Sequence, residues 1–190
     1  MKDKINSLII DSIKKLEITL SCLNNVNTIE INHIYFNEKF INSIDISTAT
    51  EDFTQIKSKN NPILYWFELN SSNKNHLIRE KYINYREPIK KNFSASNYRN
   101  TSSYKSKYEP SSTTLYVGKV EKGFWSRLVT HLGYNQSKKT AGMQLFYWYD
   151  IALFGELKLN YMEFNPEMKH LIPVLEKELA NELKPLIGKY

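Results

Sequence analysis

Ile63-Leu64-Tyr65-Trp66-Phe67, an unbroken apolar and aromatic run led in by Pro62, has the length and the β-former content of a buried strand. A second run of the same kind, Thr113-Thr114-Leu115-Tyr116-Val117, leads into Gly118 and Lys119, and Leu157 to Phe164 reads as a third. Helical patterns lie between and after these strands. Phe124 to Leu132 predicts a helix with Gly133 as its C-terminal stop. Ala141 to Tyr149 reads as another buried helix, and Pro166 opens a last one that carries Ile172, Leu175, Leu179 and Leu183 inward. Pro173 is expected to kink its first turns and Pro185 to end it. Interleaved strands and helices predict an α/β or α+β fold, with a small mixed or antiparallel three-stranded sheet flanked by helices.

Upstream, Ile5, Leu8, Ile9, Ile13, Leu16, Leu20 and Leu23 recur at helical spacing and predict an amphipathic helix over 3–23, ended by Asn24 and Asn25. Thr48 followed by Glu51 has the form of a capping box, with Phe53 and Ile56 as the apolar side of a short helix. Residues 1–60 are therefore expected to be an N-terminal helical extension and 61–190 the main domain.

The 190 residues carry 26 Lys and Arg against 20 Asp and Glu, a net charge of +6. That surplus sits in one place. Residues 71–112 hold nine cations against Glu80, Glu87 and Glu109, so this segment accounts for the whole excess and the rest of the chain is neutral. It is expected to be an insertion: a helix from His76 to Glu87 stopped by Pro88, then a loop in which Tyr98, Tyr104 and Tyr108 alternate with Arg99, Lys105 and Lys107. Lys and Arg attract phosphates and Tyr can stack on bases, so Arg79, Arg86, Lys90, Lys91, Arg99, Lys105 and Lys107 are candidate nucleic-acid contacts, ordered in part on binding. A solvated loop is the alternative. The one cysteine, Cys22, excludes a disulfide framework or multi-thiolate metal site, is expected to be a buried small hydrophobe and suits a reducing cytoplasm. No stretch has the length of a membrane span. Walker A, HExxH, GxSxG and dinucleotide fingerprints are absent.

Several residues have the chemistry of phosphodiester cleavage, which asks for a metal-binding carboxylate, a cation for developing charge and a base for water. Arg127 and His131, four apart, share a helix face, with Leu128 and Leu132 on the neighbouring apolar stripe. Arg127 is the one arginine outside the insertion and offers a bidentate fork that lysine lacks. Glu176 lies at the edge of the apolar arc of the last helix, while Glu178 projects away. Tyr65 and Tyr116 stand on separate strands, with Lys119 directly after Gly118.

At Ile63-Leu64-Tyr65, Tyr116-Val117-Gly118, Arg127, His131 and Glu176, with Pro185 nine residues beyond, the sequence resembles the GIY-YIG nuclease family. The resemblance covers Pro62 to Leu69 and Thr114 to the C-terminus. Ile63 stands where the family has glycine, and Leu186 where an asparagine follows the proline. The resemblance implies a restriction-type or repair-type DNA endonuclease dependent on Mg²⁺ or another divalent cation such as Mn²⁺. Glu176 would hold the metal, Arg127 steady the phosphate, Tyr65 or His131 activate water, and Tyr116 and Lys119 orient it. It also implies that the insertion grips DNA, with pairing of two chains on the duplex left open. The alternatives are a nucleic-acid-binding module that keeps the fold without cleaving, and a protein-interaction domain in which the N-terminal helix pairs with a partner.

Overall fold

The structure, a computed structural model, describes residues 2–21, 26–36, 51–96, 98–135 and 138–190. In chain order the elements are α1 (Lys2–Ser21), β1 (Asn27–Ile31), α2 (Glu51–Lys57), β2 (Ile63–Leu69), α3 (Asn75–Lys91), β3 (Thr114–Val120), α4 (Phe124–Leu132), α5 (Ile151–Phe154), β4 (Leu157–Glu163) and α6 (Ile172–Leu183). The strands form one antiparallel sheet in the order β1-β4-β2-β3, an α+β architecture. The sequence predicts three of these strands. The fourth, β1, comes from the stretch read as a helical extension: Ile29 and Ile31 alternate inward on an edge strand paired with β4. Phe53 and Ile56 of α2 are fully buried in the same core. Cys22, Asn24, Asn25 and Thr48 lie outside the described residues. On α1, Ile5, Leu8, Ile9 and Ile13 form the expected apolar stripe and are exposed.

Tyr65 and Phe67 of β2, Tyr116 of β3, Leu159 and Tyr161 of β4 belong to the main core, with Phe124, Leu128 and Leu132 of α4 packed against them. A smaller cluster of Leu64, Phe164, Met168 and Ile172 seats α6 on the sheet. Helix α4 has the predicted bounds, and Gly133 closes it at φ 103°. The last helix differs from expectation in a way that Pro173 explains: Pro166–His170 is a separate 3₁₀ turn, and α6 begins anew with Pro173 in its first turn.

Two sequence expectations are corrected. Helix α3 runs through Pro88 to Lys91. Near a helix C-terminus, proline forfeits only its own bond to the carbonyl four residues back, and the last turn continues. The segment 141–149 is buried but is not a helix: it is an extended strap with one 3₁₀ turn at Leu145–Tyr147. Gly142 pins it by pairing with Thr101, its N–H donating to Asn100 O and its carbonyl accepting from Ser102 N–H. Gln144 then turns at φ 59°, which no α-helix accommodates.

The insertion is also more ordered than its polar composition implies. Tyr98 is buried, and Tyr104 and Tyr108 pack against the main core. Arginines hold them there. Arg79, 7% exposed, donates to Leu186 O at 2.9 Å and Lys105 O at 2.7 Å, with its guanidinium 4.3 Å from the Tyr108 ring centroid. Arg86 donates to Ser102 O and pairs with Glu87, its guanidinium over the Tyr104 ring. Arg99 donates to Gly133 O and lies over the Tyr147 ring. Stacking and carbonyl bonds thus substitute for aliphatic burial. Replacing Arg79 with Ala leaves two carbonyls without their donor, so thermal unfolding should show a loss of about 2–3 kcal/mol. Arg79→Lys should restore little of it, because an ammonium cannot reach both carbonyls and stack.

Candidate active site

Because β3 is an edge strand, its outer side is open to elements that follow it in sequence. The chain after Pro185 returns along it: Leu186 N–H donates to Thr114 O at 3.0 Å and Ile187 N–H to Leu115 O at 2.9 Å. This brings Gly188, Lys189 and Tyr190 to a cleft of about 320 Å³ whose other walls include Tyr116, Lys119, Arg127, Ala141 and Glu176, with Ser102 and Ser103 from the insertion. Five of the residues picked out in the sequence therefore meet at or directly behind one cleft: Tyr116, Lys119, Arg127 and Glu176 line it, and Tyr65 binds Arg127 from behind.

Arg127 is the centre of this arrangement. Its Nε donates to Tyr65 Oη at 2.9 Å, its Nη2 to Tyr116 Oη at 3.0 Å, and its Nη1 to the carbonyl of Ala141. These bonds use three of the five N–H donors of a guanidinium. Burial opposes the charge on Arg127, and the two phenols more than offset that. Burial likewise pushes both phenols upward, Tyr65 well above the usual range, with Arg127 acting in the opposite direction. Both are therefore neutral at pH 7.

Gly118 makes this approach possible. A Cβ there would lie 2.6 Å from Tyr65 Oη and 2.6 Å from Tyr116 Cε1. The glycine of the second motif is thus a steric requirement of the two tyrosines. Gly118→Ala should displace both rings at a cost of about 1–3 kcal/mol. The variant should stay folded by calorimetry while losing most of whatever cleft activity the wild type has.

His131 occupies a place different from the one expected of a base. It is fully buried and does not line the cleft. The N–H of Met143 donates to its Nδ1 at 3.2 Å, so the neutral ring carries its proton on Nε2 and donates to Tyr65 Oη, 2.8 Å away. Both ring nitrogens are taken up, which makes His131 a positioning residue for Tyr65. Tyr65, also absent from the cleft wall, in turn positions Arg127. Of the two phenols that hold Arg127, Tyr116 is the one on the cleft wall.

Burial, aided by the Arg127 charge, holds the His131 imidazole well below its ordinary pKa. The unfolded chain takes up this proton near pH ~6.5 and the folded protein does not, so stability falls as pH drops through that value. His131→Gln should flatten the pH dependence of the unfolding free energy below about pH 6.5. An unaltered profile would show that the histidine is protonated in the fold.

Glu176 sits half-buried at the edge of α6's apolar stripe, as its spacing predicts, with Ile172 buried beside it and Glu178 exposed. Burial raises its carboxyl pKa, and the nearby charges of Lys119, Lys189 and Arg127 pull it down without offsetting the burial. The Tyr190 phenol lines the same cleft, and burial and the Glu176 charge push it upward. Among the described residues no group of three or more His, Cys, Asp or Glu gathers to hold a metal. Among the described residues, Glu176 supplies the one side-chain carboxylate lining the cleft. That donor set fits a hard cation such as Mg²⁺, which commonly takes one protein carboxylate and completes its shell with water and substrate phosphate.

Of the predicted nucleic-acid contacts, Arg79, Arg86 and Arg99 bond within the protein as described above. Lys90 reaches Asn100 Oδ1 at 3.2 Å, Lys91 is exposed on the last turn of α3, and Lys105 and Lys107 are exposed. Lys189 and Tyr190 escaped the sequence reading, since nothing local says that the tail doubles back along β3. Among the described residues no helix is long and apolar enough to cross a membrane. Comparison with family models, with curated proteins and with solved structures finds no match for this chain.

Proposed function

We propose that the protein is a metal-dependent DNA endonuclease of the GIY-YIG type, hydrolysing phosphodiester bonds in the cleft beside β3. The observation that carries this reading is the Arg127 guanidinium held by two phenols at 2.9 and 3.0 Å in a cleft that also contains Glu176 and Lys119. A half-buried, preorganised cation beside a carboxylate suits an anionic substrate whose charge grows in the transition state.

In this reading Glu176 is the residue that would hold Mg²⁺ or Mn²⁺, which supplies Lewis acidity toward a phosphate oxygen. Arg127 points its remaining N–H donors at the scissile phosphate, with no cost of reorganisation because Tyr65, Tyr116 and the Ala141 carbonyl already fix its plane. Lys119 adds charge to the same phosphate. Tyr116, the phenol on the cleft wall, takes the place the sequence assigns to Tyr65 or His131 as the group nearest the attacking water. Burial keeps its proton in place despite the Arg127 charge 3.0 Å away, so the neutral phenol orients the water rather than deprotonating it. Tyr65 and His131 hold that arginine in place from behind.

The test is plasmid nicking. Supercoiled DNA should be cut with Mg²⁺ or Mn²⁺ and left intact in EDTA, and Arg127→Ala and Glu176→Ala should each lower the rate by about 10²-fold or more. Equal nicking by wild type and both variants would reject the site. Salt-sensitive binding without nicking in any divalent cation would instead support the binding-module alternative.

A further inference from the structure

A second concavity, of about 400 Å³, opens next to the cleft and shares Tyr190 with it as a common wall. Three lysines line it: Lys105 and Lys107 from the insertion, and Lys184 from the end of α6. We propose that this groove binds the phosphodiester backbone of the same DNA strand whose scissile bond lies in the cleft, so that the strand crosses Tyr190 from one site to the other. The proposal rests on the nuclease reading for the direction of the strand, and the groove's own chemistry stands apart from it.

The architecture of the insertion carries the argument. Arg79 donates to the carbonyls of Lys105 and Ser106, which turns the loop's backbone inward and leaves the side chains of Lys105 and Lys107 exposed. The arginines of this segment are thus consumed in holding it, while these lysines are left outward. Among the described residues none of Lys105, Lys107 and Lys184 is engaged in a salt bridge. The one acid in the groove, Glu109, is tied back into its own turn, accepting from the Ser111 hydroxyl at 2.8 Å and the Ser111 N–H at 3.4 Å.

Lys184 adds an independent sign. It closes α6 in the left-handed region at φ 49°, a position that favours glycine. A lysine there carries a steric cost that glycine would avoid, and it delivers an exposed cation to the groove beside the cleft. Lysines without a salt-bridge partner, lining a groove that adjoins a cationic cleft and holds one acid near Lys184, match a repeating polyanion better than a single small anion.

The experiment measures binding of a short fluorescein-labelled DNA duplex in EDTA, by anisotropy over a range of KCl, together with Mg²⁺-dependent cleavage. The Lys105→Gln, Lys107→Gln, Lys184→Gln triple variant should bind about tenfold or more weakly, with a salt slope shallower by about 2–3, near 0.9 per lost phosphate contact. Its cleavage should need correspondingly more DNA to saturate. A control of equal net charge, Lys4→Gln, Lys158→Gln, Lys169→Gln, should bind like wild type. Lys184→Gly alone should melt at the same or a higher temperature and still lose affinity.

Wild-type affinity and slope in the triple variant would overturn the groove, and so would an equal loss in the control. If Glu176→Gln still abolished cleavage in that case, the cleft reading would survive. Groove-dependent binding by a wild-type protein that never cuts would uphold the groove and reject the cleft as a nuclease site.

Discussion

One guanidinium organises this protein. Arg127 sits under two phenols and a carbonyl, mostly out of water, and each of those oxygens comes from a different part of the chain: Tyr65 from β2, Tyr116 from β3 and Ala141 from the strap after α4. A buried charge with its partners missing is costly, so these three segments are bound to one geometry. The strap cannot be helical if it is to present the Ala141 carbonyl to Arg127 and the Met143 N–H to His131. Gly118 must lack a side chain if both tyrosines are to reach the same arginine. Much of the irregular backbone around the cleft follows from satisfying that single ion.

Behind the arginine the hydrogen bonds run in one direction. Met143 N–H donates to His131, His131 donates to Tyr65, and Tyr65 also accepts from Arg127. The order fixes a tautomer without any charged partner for the histidine. It also separates two roles that look alike in sequence, where His131 and Tyr65 both have the chemistry of a base. Depth decides between them: the residues nearest the core hold, and those on the cleft wall, Tyr116, Lys119 and Glu176, meet whatever enters.

What the sequence makes legible is local. The bounds of α4 follow from its helical pattern and closing glycine, the burial of β2 and β3 from their apolar runs, and the edge position of Glu176 from its place in the helical arc. Strand β1 leaves a faint mark, two isoleucines in alternation, too short to separate from the surrounding polar residues. The strap at 141–149 misleads because an apolar run signals burial without conformation, and the turn at Gln144 has no glycine to announce it. The clamps made by Arg79, Arg86 and Arg99 leave no local mark at all. A cation stacked on a tyrosine and bound to carbonyls many residues away has the same composition as a basic loop waiting for a polyanion.

The returning tail has a further consequence. Strand β3 ends the sheet, and an edge strand with open backbone groups is a template on which another chain can add itself. Leu186 and Ile187 occupy part of that edge with their own N–H groups. The protein therefore guards itself against strand addition with the very residues that build its cleft. Aggregation resistance and site construction draw on the same few hydrogen bonds, and a change that loosens the tail would be felt in solubility as well as in chemistry.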